Sequence, residues 1–219
     1  KSLIGIAGRF YKMKKVIVTQ RVDVITEYSE RRDAIDQRWV DLLLSIDIFP
    51  IFVSNNISYV KYLFENENID GVLLTGGNSL LKYGGNAPER DSVEKFILKY
   101  SIEMDIPVLG VCRGMQLIQD FFGISLKEIN NHVSVCHTLS VKKGLRLSSN
   151  VESIPDANSY HNYGTDKESE ELLTVAHSLD EIIMSVEHKS KNIFGIMWHC
   201  ERNHPFREGD KKLIKQVFC

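Results

Sequence analysis

Nine consecutive residues read Val108-Leu109-Gly110-Val111-Cys112-Arg113-Gly114-Met115-Gln116. The apolar run that begins at Ile106 predicts a buried strand, and the spacing of the apolar residues after Cys112 predicts a helix. A reactive residue between a strand and a helix, with small residues two positions to each side, is typical of a nucleophile elbow. In this chain a cysteine thiol stands where such elbows often carry a serine hydroxyl.

The surroundings of Cys112 favour a reactive thiol. Gly110 and Gly114 carry no Cβ that would collide with the chain on a sharp, strained turn. The first turn of the following helix offers unpaired N–H groups and the positive end of a dipole, which favour thiolate over thiol. The alternative is a buried core cysteine at a strand end. The two glycines and the change from strand to helix favour the reactive cysteine.

Length and composition limit the class of protein. The chain has 219 residues, of which 43% are hydrophobic and 26% charged. These values are close to the averages of globular proteins and argue against disorder. No apolar run approaches the ~20 residues of a membrane span. The formal net charge of -2 provides no overall basic field for nucleic acid. We therefore expect neither nucleic acid nor a membrane as a partner; the oligomeric state stays open.

The cysteines indicate a reducing compartment. Cys112, Cys136, Cys200 and Cys219 have neither a metal-binding spacing nor the density of a disulfide scaffold, so we expect a cytoplasmic protein. Met13-Lys14-Lys15 looks like a natural start directly ahead of a strand. Residues 1–12 are therefore interpreted as a tag or upstream segment, and residues 13–219 as one domain.

Strands and helices alternate in the first half of the chain. The β-branched run Lys15–Thr19 predicts a first, central strand, and Ser29 is a candidate cap for a helix that runs to Leu43. Further strands are predicted at Phe49–Val53 and Gly71–Thr75, and further helices at Ile57–Glu65 and 91–104. This alternation favours a parallel sheet with helices on both faces, in which ligands bind at the carboxyl ends of the strands.

The second half changes pattern, and several short strands with turns between them are expected to form an antiparallel edge or accessory sheet. They are Ser125–Ile129, His137–Val141, Leu172–Ala176, Ile182–Val186 and Ile193–Trp198, and a helix at Lys211–Phe218 closes the chain. The predicted fold class is therefore α/β: an open, mostly parallel sheet with helices on both faces, plus a small antiparallel accessory sheet.

A cysteine nucleophile needs a base, and the base needs an orienting group. His199 and Glu201 follow a buried-looking strand, and residues two apart in an extended chain project to the same side. We expect the imidazole and the carboxylate to face one site, while Cys200 points away. The alternative is that both are surface residues at a strand end.

The elbow at Cys112, Thr75-Gly76-Gly77 upstream and Trp198-His199-Cys200-Glu201 downstream resemble, in that order, the class I glutamine amidotransferase-like hydrolases. Within that superfamily, Arg31–Gln37 and Asn158–His161 are similar to the stand-alone γ-glutamyl hydrolases of the peptidase C26 type. The resemblance extends to hydrolases of γ-glutamyl-CDP-amidate in capsular phosphoramidate assembly. Cys200 departs from the family pattern, which usually has proline between the histidine and the glutamate.

The resemblance implies a flavodoxin-like fold, a small-molecule γ-glutamyl conjugate as partner, and hydrolysis of its amide bond through a thioester. A cysteine–histidine acyl transfer needs no metal or cofactor, and we expect none. It implies that Cys112, His199 and Glu201 are the catalytic residues, with the N–H groups of Gly77 and Arg113 receiving the oxyanion. Substrate binding is expected from four further residues: Gln116, Ser159, Tyr160 and His161.

A diphosphate next to this site would need arginine, lysine or clustered N–H groups. The candidates are Arg31, Arg32, Lys82, Tyr83 and Arg90, each with a solvated side chain as its alternative. His132 and His137 flank a strand in the same region, and a structural role is favoured for both.

Three functions remain open. The first is a γ-glutamyl hydrolase with the CDP-amidate conjugate or a γ-glutamyl-amine such as γ-glutamyl-γ-aminobutyrate as substrate. The second is a glutaminase subunit that delivers ammonia to a synthetase. The third is a non-catalytic binding module on the same scaffold.

Overall fold

A computed structural model describes residues 13–219; the segment 1–12, interpreted above as a tag or upstream sequence, lies outside them. The strands are β1 (Lys14–Val18), β2 (Arg21–Ile25), β3 (Glu30–Ala34), β4 (Ile48–Phe52), β5 (Gly71–Leu74), β6 (Val108–Val111), β7 (Lys127–Glu128), β8 (Val133–His137), β9 (Ser140–Val141), β10 (Ala157–Tyr160), β11 (Tyr163–Gly164), β12 (Leu172–His177), β13 (Ile183–His188) and β14 (Ile193–Ile196). The α-helices are α1 (Arg38–Ser45), α2 (Ile57–Asn66), α3 (Pro88–Met104), α4 (Arg113–Phe121), α5 (Ser148–Glu152) and α6 (Glu208–Phe218).

Eight strands form the main sheet in the order β4-β1-β5-β6-β14-β13-β12-β9. The first five are parallel to their neighbours, and β13, β12 and β9 extend the sheet in antiparallel fashion. Three two-stranded sheets accompany it, formed by β2 with β3, β7 with β11, and β8 with β10. The predicted α/β class, with a mostly parallel sheet and small antiparallel additions, is confirmed.

Two hydrophobic clusters cover the two faces of the sheet. Val16 and Val18 of β1 belong to the cluster that contains residues of α1, α5 and α6. Ile17, between them, belongs to the cluster that contains residues of α2 and α3. Consecutive strand residues point to opposite faces, so the unbroken apolar runs in the sequence reflect burial on both sides of the sheet.

Two predictions in the first half of the chain are wrong. Strand β1 is not central but second from the edge, because a β-branched run reports burial on both faces and not the place of a strand in the order. The predicted helix from Ser29 starts only at Arg38, since residues 30–34 pair as β3 with β2. Strands β2 and β3 form a hairpin. The side chain of Asn78, outside the hairpin, makes two hydrogen bonds with the backbone of Val22, of 2.8 and 2.9 Å.

The second half also differs in detail from the prediction. His137–Val141 is not one strand, because β8 ends at His137 in the sheet with β10, whereas β9 lies at the edge of the main sheet. The Ile193–Ile196 strand is antiparallel to β13 but parallel to β6. This second pairing places the end of β14 next to the elbow. Within residues 13–219, no helix is long and apolar enough to cross a membrane.

Candidate active site

Three neighbouring strands of the main sheet end at the site. Strand β6 runs directly into Cys112, and its neighbours β5 and β14 run into the loop at Gly76 and into His199. The backbone N–H of Cys112 donates to the carbonyl of Ile196, at a distance of 2.8 Å. Residues from three distant parts of the sequence therefore meet at the carboxyl edge of the sheet, where such folds bind ligands.

The backbone at Cys112 has the conformation of an elbow. Its φ of 52° and ψ of -105° lie outside the ordinary regions, and α4 begins at the next residue. A Cβ at Gly114 would lie 2.1 Å from the carbonyl oxygen of Leu74, and one at Gly110 would lie 2.6 Å from the carbonyl carbon of Gly114. The elbow packs so tightly that both flanking positions require glycine.

His199 connects Cys112 with Glu201. Its Nδ1 lies 2.7 Å from Oε1 of Glu201, and its ring also forms a hydrogen bond with the side chain of Cys112. Burial alone would lower the pKa of His199, but hydrogen bonds with Cys112 and Glu201 and the charges of both raise it to about 9. The imidazole is therefore protonated at neutral pH. All three side chains are at least nine-tenths buried.

The chain does not place His199 and Glu201 by the alternation of an extended strand. Strand β14 ends at Ile196, and Cys200–Arg202 form a 3₁₀ helix whose first turn carries Glu201 back to the imidazole. Cys200 points away as expected, but into the hydrophobic core, where burial raises its pKa well above the ordinary value. The predicted orientation is confirmed, and the reason given for it was wrong.

The sequence did not indicate Asn158 as a site residue. Its carboxamide binds both backbone polar groups of His199, and Asn158 itself is buried. It stands beside the predicted substrate residues 159–161, but only the sheet of β8 and β10 brings it to His199.

A buried charge network lies under the loop that follows β5. Arg90 donates to the carbonyl oxygens of Thr75 at 2.7 Å and Gly76 at 3.0 Å, and it also contacts that of Gly77. The guanidinium is balanced by Glu94, 2.9 Å away. The side chain of Arg113 reaches two carboxylates, those of Glu94 and Asp91. The network joins the Gly77 loop to the start of α4.

One cavity, the elbow cavity, opens over Cys112 and has a volume of about 170 Å³. It is lined by Gly77, Asn78, Ser79, Cys112, Arg113, Gln116, Tyr160, His161, Asn162, Tyr163, His199 and Arg202. A second cavity, the hairpin cavity, has a volume of about 210 Å³. Its lining is Arg21, Asp23, Ala34, Ile35, Asp36, Trp39, Thr75, Gly76, Gly77, His199, Glu201 and Arg202. His199, Gly77 and Arg202 line both cavities.

Three of the four predicted substrate residues lie at the elbow cavity. Gln116 donates from Nε2 to the carbonyl of Tyr163 at 2.9 Å. The ring of Tyr160 stands edge-on to His199, with 5.8 Å between the ring centroids. His161 also lines the cavity, but Ser159 does not: it is fully buried, and its hydroxyl donates to the carbonyl of His132.

The five predicted phosphate contacts lie away from both cavities. Arg31 pairs with Glu89, Arg32 with Glu30, and Lys82 with Asp120. Each of these three side chains is paired with a carboxylate at the surface, and none of them lines either cavity, so their contact with a phosphate stays a prediction. Tyr83 accepts a hydrogen bond from the backbone of Leu126, and Arg90 is fully buried in the charge network.

Two other arginines lie at the cavities instead. Arg21 lines the hairpin cavity and pairs with Asp23 at 2.6 Å. Arg202 lines both cavities, and its guanidinium lies over the ring of Tyr160, 4.2 Å from the centroid. In the sequence, Arg202 was distinguished only by its position directly after Glu201.

Comparison with solved structures places the fold. A glutamine amidotransferase from Thermotoga maritima superposes with a TM-score of 0.62 at 13% identity, covering 92% of this chain and 82% of that one. The fold is therefore that of the class I glutamine amidotransferases.

The family follows from the sequence comparison. The chain belongs to the peptidase C26 family, whose model matches residues 15–201. It is 33% identical to a γ-glutamyl-CDP-amidate hydrolase from Campylobacter jejuni, over 85% of this chain and 90% of the relative. It is 31% identical to one subunit of a glutamine-hydrolysing GMP synthase from Methanosphaera stadtmanae, over 75% of this chain and 82% of the relative. The resemblance that the motifs indicated is confirmed.

Proposed function

We propose that the chain is a cysteine-dependent γ-glutamyl hydrolase that cleaves γ-glutamyl-CDP-amidate into glutamate and cytidine diphosphoramidate. The observation that carries the proposal is the contact of His199 with both Cys112 and Glu201 at the border of two cavities. One cavity serves the acyl group and the other the leaving group. The choice of leaving group is supported by the Campylobacter jejuni relative.

The first half of the reaction forms a thioester. The Cys112 thiolate, stabilised by the His199 imidazolium and by the start of α4, attacks the γ-carbonyl carbon. The tetrahedral intermediate collapses as the C–N bond breaks, and the proton of His199 passes to the leaving nitrogen. Cytidine diphosphoramidate leaves through the hairpin cavity.

The second half returns the enzyme to its starting state. Neutral His199 takes a proton from water, and the hydroxyl adds to the thioester carbonyl. The C–S bond breaks, glutamate departs, and Cys112 is again a thiolate beside an imidazolium. Glu201 holds the imidazole in one orientation through both halves.

Two backbone N–H groups receive the oxyanion in this proposal. Arg113 is the first residue of α4, so its N–H has no partner inside the helix. Arg90 holds the carbonyl of Gly76. Because C=O and N–H of a trans peptide point in opposite directions, that contact turns the N–H of Gly77 away from Arg90. Two preorganised donors of this kind typically account for several kcal/mol of transition-state stabilisation.

The elbow cavity takes the glutamyl group. Burial lowers the pKa of His161 to about 4, so the ring is neutral, and its Nδ1 lies 2.9 Å from the carbonyl of Tyr163. A neutral imidazole that donates from Nδ1 leaves Nε2 as an acceptor. His161 is therefore assigned to the α-ammonium group of glutamate and not to its carboxylate. Gln116 and Tyr160 complete this end of the cavity.

The hairpin cavity takes the phosphoramidate and the nucleotide. Arg21 and Arg202 are the arginines of its lining, and arginine matches phosphate oxygens with two parallel hydrogen bonds. Two of the carboxylates in the lining are already paired, Asp23 with Arg21 and Asp36 with Arg38. Arg202, which lines both cavities, is placed to contact the phosphate next to the scissile bond.

The test is glutamate release from three substrates by the purified chain: γ-glutamyl-CDP-amidate, γ-glutamyl-γ-aminobutyrate and glutamine. We expect kcat/KM to be at least ~100-fold higher for the CDP-amidate than for glutamine, because only the former fills both cavities. An acid-quenched reaction should show a γ-glutamyl adduct on Cys112, and Cys112→Ala should show none. If γ-glutamyl-γ-aminobutyrate were the preferred substrate, the proposed substrate would be wrong, but the proposed γ-glutamyl hydrolysis would stand.

The second candidate is a glutaminase subunit, which the similarity to the GMP synthase of Methanosphaera stadtmanae favours. In that case glutamine would be the best substrate, and hydrolysis would be strong only when a synthetase partner is added. That combination of results would overturn the proposed hydrolase.

A further inference from the structure

Three side chains that the proposed reaction does not use lie together: the buried His132, the partly buried His137 and the exposed Asp180. One nitrogen or oxygen atom from each lies within 4.8 Å of the corresponding atoms of the other two. They come from the turn before β8, the end of β8 and the turn between β12 and β13. Because 48 residues separate His132 from Asp180, no spacing motif could indicate this cluster.

The charge and hydrogen bonding of the cluster suit a cation. Nε2 of His132 lies 3.0 Å from Oδ2 of Asp180. Two ligand atoms at ~2.0–2.2 Å from a tetrahedral zinc ion are roughly 3.4 Å apart, so a small opening of this pair admits the ion. Oδ1 of Asp180 accepts from the hydroxyl of Ser178, which fixes the carboxylate.

The strongest indication is an unsatisfied nitrogen. Nε2 of His137 is buried and has no hydrogen-bond partner among residues 13–219. The rings of His137 and His132 are stacked with 4.1 Å between centroids. The His132–Asp180 contact alone leaves this nitrogen unpaired, whereas a shared cation satisfies all three groups.

Further contacts orient both imidazoles. The ring of His137 forms a hydrogen bond with the backbone of Asn131, and Nδ1 of His132 lies 3.4 Å from the hydroxyl of Ser159. Histidines that bind metals usually engage their other ring nitrogen in this way. Two imidazoles and one carboxylate form a donor set that suits zinc and related divalent ions.

We propose that His132, His137 and Asp180 bind a Zn²⁺ ion that fastens the sheet of β8 and β10 to the turn between β12 and β13 of the main sheet. Strand β10 of the same sheet carries Asn158 and Tyr160, and both residues contact His199. The ion acts as a structural clamp for one wall of the active site and takes no part in the cleavage.

The test uses untagged Cys112→Ser protein, so that neither a histidine tag nor the catalytic thiol can hold the metal. After treatment with a chelator, the protein is titrated with Zn²⁺ against a zinc-binding dye. We expect one ion per chain and a rise in Tm of roughly 5 to 10 °C at a hundredfold excess over Kd. His137→Gln and Asp180→Asn, introduced separately, should each weaken binding at least ~10-fold.

Two controls separate this site from other ligands. His177→Gln changes a histidine near the same turn that pairs with Glu181, and Cys136→Ser changes the residue before His137; both variants should bind as tightly as the parent. With Co²⁺, the parent should show visible bands of nitrogen and oxygen ligation. Unchanged affinity in His137→Gln and Asp180→Asn, or a sulfur-to-cobalt charge-transfer band, would overturn the proposal.

Discussion

The carboxamide of Asn158 forms hydrogen bonds with both backbone polar groups of His199. Oδ1 accepts from the N–H of His199 at 2.7 Å, and Nδ2 donates to its carbonyl at 2.9 Å. All of these groups are buried. The position of the imidazole relative to Cys112 therefore depends on a side chain 41 residues earlier in the sequence.

Replacing Asn158 tests this dependence. Asn158→Ala leaves both backbone groups of His199 without their partner, which costs about 2–3 kcal/mol of stability. We expect kcat to fall ~10–100-fold through misplacement of the imidazole, with KM changed little. Steady-state kinetics and urea denaturation measure the two effects. Asn203→Ala is the control for the 3.4 Å contact between Asn158 and Asn203, because it removes that contact and leaves both hydrogen bonds between Asn158 and His199 in place. A kcat of Asn158→Ala within twofold of the parent would show that Asn158 does not position the imidazole.

The two cysteines near the site should respond differently to removal. Cys112→Ala should lower kcat at least ~10³-fold, since no nucleophile remains. Cys200 lies in the hydrophobic core, so Cys200→Ala should cost about 1 kcal/mol of stability and leave kcat within about threefold of the parent. Comparable losses of activity in the two variants would show that Cys200 takes part in the reaction.

The raised pKa of His199 predicts an alkaline limit of activity. The pKa of about 9 in the folded chain means that the imidazolium persists at neutral pH and is lost as pH rises through about 9. In the proposed mechanism the imidazolium protonates the leaving nitrogen, so kcat/KM should fall above that pH. Glu201→Gln removes a charge that raises the pKa, so the limit should move down by roughly one pH unit.

The control for the pH profile is Glu181→Gln, which removes a carboxylate 3.8 Å from a different histidine, His177. Its profile of kcat/KM against pH should match the parent. An alkaline limit that stays in place in Glu201→Gln would mean that another group sets it.

The buried charge network around Glu94 should contribute strongly to the free energy of unfolding, because it joins the Gly77 loop to the elbow at Cys112. Glu94→Gln leaves Arg90 and Arg113 short of negative charge inside the protein, and we expect a loss of about 3–5 kcal/mol in the free energy of unfolding. Glu30→Gln, which breaks the exposed pair with Arg32, should change it by about 0.5 kcal/mol or less. Urea denaturation of both variants gives the comparison, and equal effects would refute the buried role of Glu94.

Arg21 and Arg202 should determine the affinity for a nucleotide-linked substrate. Each change to methionine removes charge-assisted hydrogen bonds, and KM for γ-glutamyl-CDP-amidate should rise ~10-fold or more. Arg21→Met should leave KM for glutamine unchanged, because glutamine has no group that reaches the hairpin cavity. Arg31→Met, at a surface pair with Glu89, is the control. A KM for the nucleotide substrate that is the same in all three variants would place the diphosphate elsewhere.

Local sequence patterns predicted the elbow well. The strand, the strained cysteine and the helix lie within a few consecutive residues, and the small size of Gly110 and Gly114 is a local requirement. The same holds for most parallel strands, because burial on both faces leaves an apolar run. The helix predicted from Ser29 failed because distant residues such as Asn78 hold that segment as a hairpin.

The sequence by itself determined the α/β class, the family and the identity of Cys112, His199 and Glu201 as candidates, since these rest on short segments with strong local preferences. Only the tertiary structure decided that β14 lies beside β6, that Asn158 holds His199, and that Arg21 and Arg202 rather than Arg31 or Lys82 line the cavities. These contacts join residues far apart in the chain. Their geometry depends on the order of the strands and on packing between distant segments, and the type of a single residue in the sequence does not predict either.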